Sequence, residues 1–494
     1  MPVVETPQSS CLAGVARRDI TPPVGIYHRM WGAATHDRST GVHRELTATA
    51  IVFQDPAAKD GAQSGARQIL VALDHCILWA DEMRQLIERV SRRAGVPAEQ
   101  LQITFSHTHG AGLMGLERRN LPGGDLIAPY LEQLAGLVAD MVSEAIAQLA
   151  RTQIVYGTGR CNLAQNRDFW DEPAAQWVCG LNPGGPADDT VLVARLADED
   201  GRTIASVVNY ACHPTTLAWD NTLISPDFVG AMRELVEQAT GAPCLFLQGA
   251  SGDLGPRDGF VGDVAVADRN GRQLGYAALS AWESLPPPGT QLEYTGAVIS
   301  GAVIGTWAHT AIDQQSRDRQ SRWRSRAWTI DLAYRDGLPT LDETKAQLAR
   351  WNSEEAAARG AGQLDRARDC RAEAERMRRQ IVRLNGLPPG GEFPLPVAIW
   401  QTGDAIWLTL ESEPFHVLQR TLRERFAPLP IFIGTLTNGT RPTYLPPRRV
   451  YGTGLYQESV ALLAPGTLET LIESIAQQID TWRTEDAGAA AGRG

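Results

Sequence analysis

The chain has 494 residues, and its 46 Lys and Arg against 57 Asp and Glu leave a net charge of −11. Nucleic acid and anionic membranes both reward a basic face, so this balance excludes them as main partners. A hydrophobic content of 43% with 21% charged residues excludes general disorder. The length allows about two to four domain-sized units, or one large α/β unit with insertions. Lysine occurs only at Lys59 and Lys345, which with the abundant Ala and Gly reads as a compositional bias. Seven scattered cysteines (Cys11, Cys76, Cys161, Cys179, Cys212, Cys244 and Cys370) form no CxxC pair and fit reduced, mostly buried thiols. The N-terminus carries no basic region followed by an apolar run. Nowhere are there about 18 consecutive apolar residues, the length a membrane-spanning helix needs. The expectation is a soluble, cytoplasmic protein with no stable membrane association.

In chain order, Thr47–Gln54 and Ile69–Asp74 read as strands and Asp81–Ala94 as a helix. Gln102–Ser106 is a short strand that runs into His107-Thr108-His109-Gly110. A long amphipathic helix follows from Tyr130 to Leu149, with Leu131, Leu134, Val138, Met141, Val142, Ala145 and Leu149 at helical spacing. Ala205–Cys212 is a strand ending at His213-Pro214. Then come a helix over Phe228–Ala239, a strand at Cys244–Gln248 and a glycine-rich turn, Gly249–Gly255. The segment Leu341–Leu384 is dense in Arg, Glu, Ala and Gln and reads as an exposed helical hairpin, a solvated pair rather than a partner-binding face. Pro388–Pro396 is expected to be a linker. Strands at Ala398–Gln401, Ala405–Leu410 and Ile431–Thr435, a helix from Glu413 and a helix over Thr467–Trp482 complete the chain, with 485–494 a disordered tail. Strands that end in loops rich in His, Gly and Asp point to an α/β architecture with its site at the strand ends.

Four places could carry chemistry. On an extended strand, residues two apart face the same side, so His107 and His109 would share one spot beside Gly110-Ala111-Gly112. Two imidazoles there suit a divalent metal, zinc most often, or simply cap a strand. His213 closes an apolar strand before Pro214 and is either a satisfied core residue or a second contributor to that spot. The turn Gln248–Pro256 lacks the Gly-Lys-Ser/Thr of a P-loop, and Asp253 stands where the second glycine of a nucleophile elbow belongs. Asp253 then caps a turn or orients a site histidine. Glu413, at an expected helix start, is favoured by the helix dipole whatever its function, and Tyr444 and Tyr456 in a Pro-rich loop read as packing residues.

Taken together and in order, these segments resemble the catalytic domain of the neutral (non-lysosomal) ceramidase family along almost the full chain. Gly14–Pro22 is similar to that family's first strand and turn, and Gly41-Val42-His43 to its next block. Ser106–Gly110 resembles its T-H-T-H-S/G signature, Asn166-Arg167 its Asn-Arg, and Asn209–His213 the segment with its second metal histidine. Gly252–Pro256 parallels its G-D-V-S-P, Glu413 falls in its G-E-P/F block, and Tyr444-Leu445-Pro446 in its Tyr-Ile-Thr/Pro block. The resemblance implies an α/β fold of mixed β-sheets flanked by helices. It implies one catalytic domain over 1–484, with 341–385 as a helical insertion. It implies one zinc per chain on His107, His213, Glu413 and Tyr444, with His109 as general base or acid. Arg167 and Tyr456 would bind the substrate carbonyl, and Asp253 would support the catalytic set.

Two departures separate the chain from that family. The serine of G-D-V-S-P is Gly255 here, and neither a C-terminal immunoglobulin-like domain nor a secretion signal is visible. The expected function is therefore a zinc-dependent hydrolase cutting an amide, in preference to an ester, in a soluble small substrate. A zinc-dependent lyase on a sugar acid is the alternative, and a non-catalytic binding protein of the same fold is a third reading.

Overall fold

The computed structural model describes residues 2–58 and 65–491. Its centre is an eight-stranded mixed sheet of β1 (Gln8–Asp19), β2 (Thr47–Gln54), β3 (Arg67–Leu73), β4 (Leu101–Phe105), β5 (Ala150–Arg160), β6 (Thr190–Ala197), β7 (Thr203–Tyr210) and β8 (Cys244–Gln248). The order across the sheet is β8-β7-β6-β5-β1-β2-β3-β4. Only the outermost pairs, β7 with β8 and β3 with β4, are parallel. A second sheet holds β9 (Trp323–Ala333), β10 (Glu392–Thr402), β11 (Ala405–Leu410) and β12 (Ile431–Gly434) in sequence order.

The two sheets stack between helices in four layers. Alternate residues of β2 show why. Ala48, Ala50 and Val52 pack under α1 (Ala80–Ala94) and α2 (Ile127–Ala147), while Ile51 and Phe53 face Trp400, Trp407 and Phe432 of the second sheet. Every residue of β2 is buried, as expected of a strand covered on both faces. α3 (Phe228–Thr240) and α4 (Val264–Glu283) cover the other half of the large sheet. α7 (Val417–Phe426) and α8 (Thr467–Ala491) close the outer face of the second sheet. All seven cysteines are free thiols. Among the described residues, no helix is long and apolar enough to cross a membrane.

Several sequence expectations change. The stretch 388–396 is mostly strand: β10 begins at Glu392, with Phe393 and Leu395 in the core. Pro394 and Pro396 are tolerated because β10 pairs only with β9 there, β11 joining at Val397, so the missing N–H groups fall on the unpaired side. Glu413 opens no helix. Glu413-Pro414 is a short extended bridge to Tyr444-Leu445, and α7 begins at Val417. α8 continues to Ala491 through most of the expected tail, with Arg322 and Arg324 paired to Asp486; residues 492–494 lie outside the described residues.

The charged hairpin consists of α5 (Leu341–Gly360) and α6 (Leu364–Asn385), but α6 is not simply solvated. Its Glu375 is buried and takes both guanidinium nitrogens of Arg118, at 3.1 and 2.7 Å, with Arg379 on the same carboxylate at 3.0 Å. Burial alone raises a carboxyl pKa, yet Arg379 and Arg118 hold Glu375 down to about 2. A group lowered on folding contributes stability above its unfolded value and loses it as pH falls through its folded value. The stability gap between wild type and Glu375→Gln should therefore shrink between about pH 4.5 and 2. Urea unfolding across that range measures it, and a pH-independent gap would reject the ion pair as the anchor of α6.

Candidate active site

The site lies where β4, β7, β8 and β11 end. Beyond β4 the chain turns sharply at His107, whose φ of 66° is uncommon for a residue with a side chain. His109 follows in a single helical turn, His109–Ala111. The two imidazoles thus do not share one face of a strand as alternation suggests. The turn brings their ring centroids to 5.1 Å at 89° instead. The backbone N–H of His107 donates to His75, in the loop after β3. Asp74 in that loop is locked by Arg233 of α3 through two bonds of 2.7 and 2.8 Å. His213 follows β7, fully buried.

Hydrogen bonding sets the tautomers. His107 Nδ1 lies 2.9 Å from the carbonyl of Cys76, and His213 Nδ1 lies 2.7 Å from that of Ser251. A carbonyl only accepts, so each Nδ1 carries the hydrogen and each Nε2 presents a lone pair. Both lone pairs face one oxygen, Glu413 Oε2, at 3.2 and 3.1 Å. Tyr444 Oη stands 3.4 Å from His213 Nε2. Burial and Glu413 push that phenol well above its usual pKa. Two neutral nitrogens, a carboxylate and a phenol oxygen form a donor set suited to a divalent cation. Acceptors facing acceptors are otherwise repulsive, so the residues fit a metal. Without one, a proton must fill the gap: against burial, Cys76 and Glu413 raise the His107 imidazole well above its usual range. Burial, with Arg167, drops His213 to about 3.

Glu413 reaches this point because its backbone N–H donates to Thr443 and the N–H of Gly252 donates to Pro414. Gly252 is needed there, since a Cβ would stand 2.7 Å from the Glu413 carbonyl oxygen. His109 sits beside the acceptors with both ring nitrogens buried and without a partner among the described residues. Burial, then His107 and His213, keep it well below its ordinary pKa and so neutral. Arg167 donates Nη2 to the Gly252 carbonyl at 2.7 Å and lies over the Tyr444 ring, with Nε unpartnered. Tyr456 is 44% exposed, its ring 5.9 Å from that of Tyr444.

Asp253 lies behind the site. Its carboxylate is committed to His416, at 2.6 Å to Nδ1 and 2.8 Å to the backbone N. It orients a buried histidine behind the site rather than His107, His109 or His213, and it does not face the pocket.

His109, Arg167, Tyr444 and Tyr456 line a pocket of about 480 Å³ with residues the sequence did not single out. Trp31 lies 5.0 Å from the His109 ring and, with Trp219 and Phe260, forms an aromatic wall. Thr215 contributes a buried hydroxyl without a partner among the described residues. Cys76, whose sulfur is 3.6 Å from His107 Nδ1, carries no sequence signal at all. A Cβ on Gly255 would meet only ordinary contacts, Thr215 Oγ1 at 3.7 Å and Arg167 Cδ at 3.8 Å.

Two outcomes follow from this geometry. Adding zinc to chelator-treated protein should raise its melting temperature, as binding to the folded state alone requires. His213→Ala should abolish that rise; an equal rise in both proteins would show the cation binding elsewhere. Gly255→Ser should fold within about 1 kcal/mol of wild type by denaturant titration, because nothing there is displaced.

Residues 11–251 match the family described as neutral/alkaline non-lysosomal ceramidase, N-terminal. The neutral ceramidase of Pseudomonas aeruginosa is 24% identical over 256 residues, covering 49% of this chain and 36% of that protein. Neutral ceramidase A of Dictyostelium discoideum is 25% identical over 294 residues, covering 53% and 39%. The matched region thus spans under two fifths of either curated relative. The crystal structure of the Pseudomonas aeruginosa neutral ceramidase superimposes with a TM-score of 0.62 at 16% identity, over 95% of this chain and 73% of that one. That likeness shows a shared fold, mixed sheets with flanking helices, and extends it past residue 251. In sequence over residues 11–251 and in fold over 95% of its length, the chain is similar to the neutral/alkaline non-lysosomal ceramidases.

Proposed function

We propose that the chain is a zinc-dependent hydrolase that cleaves an amide, in preference to an ester, in a small soluble substrate. The observation that carries this reading is the convergence of His107 Nε2, His213 Nε2 and Glu413 Oε2 on one point beside the neutral, unpartnered His109. His107, His213 and Glu413 would hold one zinc ion, with Tyr444 as the fourth donor. A divalent ion held there supplies charge that polarises a carbonyl and acidifies water.

The remaining work falls to side chains. His109 has a free lone pair and no competing bond, so it can take a proton from attacking water and return it to the leaving nitrogen. Water oxygen bonds to the carbonyl carbon, the carbon–nitrogen bond breaks, and a carboxylate and an amine result. Arg167, always charged and with Nε free, is aimed to bind the carbonyl oxygen as negative charge grows on it. Tyr456 stands at the pocket rim, in reach of a substrate held over Tyr444. The hydroxyl that the ceramidase serine would bring at position 255 is absent, and Thr215 is the hydroxyl nearest that spot. The family supports hydrolysis; the small soluble substrate is supported by a pocket of about 480 Å³ walled in part by charge.

His109→Ala should lower kcat on an N-acyl amide by about 10²–10⁴ while zinc content per chain, read by atomic emission, stays that of wild type. Sugar-acid substrates are assayed in parallel for an unsaturated product. Formation of that product, with no amide or ester cleaved, would replace hydrolysis by the lyase reading. Wild-type protein that binds no divalent metal would sink both.

A further inference from the structure

Besides Trp31, Trp219 and Phe260, the pocket is walled by α6 through Glu375, Arg376, Arg379 and Arg383. With Arg167, four guanidiniums border this space against one lining carboxylate, Glu375. That carboxylate is already spent on Arg118 and Arg379. Glu413, beneath the pocket, faces the two Nε2 atoms and is the natural partner of a cation. The pocket therefore carries positive charge that its own acids do not neutralise.

The arginines differ in how they are satisfied. Arg376 lies within 3.8 Å of Glu373. Arg379 holds Glu375 and the Met30 carbonyl. The Arg383 side chain has neither ion pair nor hydrogen bond among the described residues; the residue is half-buried, and its Nε is buried without a partner. Burial loosens its hold on the proton; Tyr456 counters that effect, Arg379 adds to it, and Glu413 and Tyr444 counter it further. A guanidinium with a buried nitrogen and no counter-ion is costly. Such a residue persists where an absent anion completes it, since local rules are broken mainly where function requires. Guanidinium forks match the planar, two-oxygen geometry of carboxylates and the oxygens of sulfonates and phosphates.

We infer that the substrate is an acylated amine bearing an anionic group, which Arg383 and Arg379 of α6 bind while the aromatic wall takes the acyl part. This rests on the reading of the pocket as the substrate site of a hydrolase. It deepens that reading by naming a substrate class that a neutral lipid amide does not meet. With the anion at α6 and the acyl group at the aromatic residues, the scissile carbonyl is left to His109 and Arg167, which line the same pocket. Arg383 and Arg379 are positioning residues here and touch no reacting atom.

The test uses four N-benzoyl amides that differ only at the far end: N-benzoyl-β-alanine (carboxylate), N-benzoyltaurine (sulfonate), N-benzoyl-O-phosphoethanolamine (phosphate) and the neutral N-benzoylethanolamine. Dissociation constants come from calorimetry on the zinc-loaded full chain, and kcat/KM from amine release. At least one anionic probe should bind about ten-fold or more tightly than the neutral one, and the tightest of the three identifies the anion. Arg383→Met should remove that preference, leave binding of the neutral probe unchanged, and raise the melting temperature, because an uncompensated buried charge is gone. A merely structural arginine would instead lower the melting temperature and leave the preference intact, which would overturn the proposal. Arg379→Gln, which also frees Glu375 and Met30, serves as a second variant and should weaken the same preference. Equal affinity and equal kcat/KM for neutral and anionic probes in wild type would reject the anion site while leaving the hydrolase reading in place. Selective anion binding with no amine released would do the reverse.

Discussion

The two histidines that face Glu413 come from strands far apart in one sheet, so the site depends on how that sheet closes. β4 forms one edge, and β7 lies next to β8 at the other. The sheet curls until β8 lies beside β4 without pairing to it. Residues 433–438, the end of β12 and the turn after it, fill the seam. Thr435 donates its N–H to the Gln248 carbonyl on one side, and Asn438 donates to Ile103 on the other. The Asn438 amide adds bonds to Ile103 N and the Leu101 carbonyl, imitating one more strand residue. The Asn209 amide spans from the Leu247 carbonyl to both backbone groups of Ile433. Two open edges are thus satisfied by a strip of the second sheet. The strand ends that carry His107, His213 and Glu413 are held together by backbone bonds rather than by the site itself.

Several buried charges elsewhere in this protein are paired. Arg118 meets Glu375, Arg233 meets Asp74, and Asp253 meets His416. Around the pocket such pairing fails twice, with opposite sign. On the floor, three acceptors converge where a cation is wanted. On the α6 wall, a guanidinium stands where an anion is wanted. Unmade interactions at buried polar groups cost more than made ones contribute. Opposite charges left unmet at one cavity fit the proposed ligands, a cation on the floor and an anionic substrate at α6. Closed backbone seams make such exceptions tolerable, because the strands do not depend on the site for their position.

Much of this was legible from residue patterns. Thr47–Gln54, Cys244–Gln248 and Ala405–Leu410 are apolar, bounded by turn residues, and form strands with those bounds. The loops after strands carry the His, Gly and Asp residues that signal a site, and His107, His213 and Glu413 meet there although they lie far apart in the chain. Geometry inside those loops was not legible. Alternation along a strand puts His107 and His109 on one side, but the chain leaves extended structure at His107, so a turn sets their relation. Glu413 before a helical run looks like a helix start, but long-range pairing with Tyr444 keeps it extended for two residues. Asp253 sits in a turn near the site, and nothing local reveals that His416, 163 residues on, claims its carboxylate.

The α5–α6 hairpin shows why composition misleads where a pocket is walled by charge. An arginine-rich helix face has the same spacing whether it meets water or a cavity, so Arg376, Arg379 and Arg383 at i, i+3 and i+7 read as solvated. What separates the two is the pattern of acids around each arginine. On α5, Arg350 and Arg359 find Glu354 and Glu355 four residues away. On α6, Arg376 has Glu373 and Arg379 has Glu375 at helical spacing, but Arg383 has Arg379, Gln380, Gly386 and Leu387 at those positions, and no acid. A surface helix gains from pairing each cation with a neighbour and loses little by doing so. The one arginine of this face with no acid at helical spacing is the one whose Nε is buried without a partner, in the wall of the pocket that His109 and Tyr444 also line. The missing counter-charge was therefore written in the local sequence, and its meaning emerges only once α6 is seen as a wall of the site.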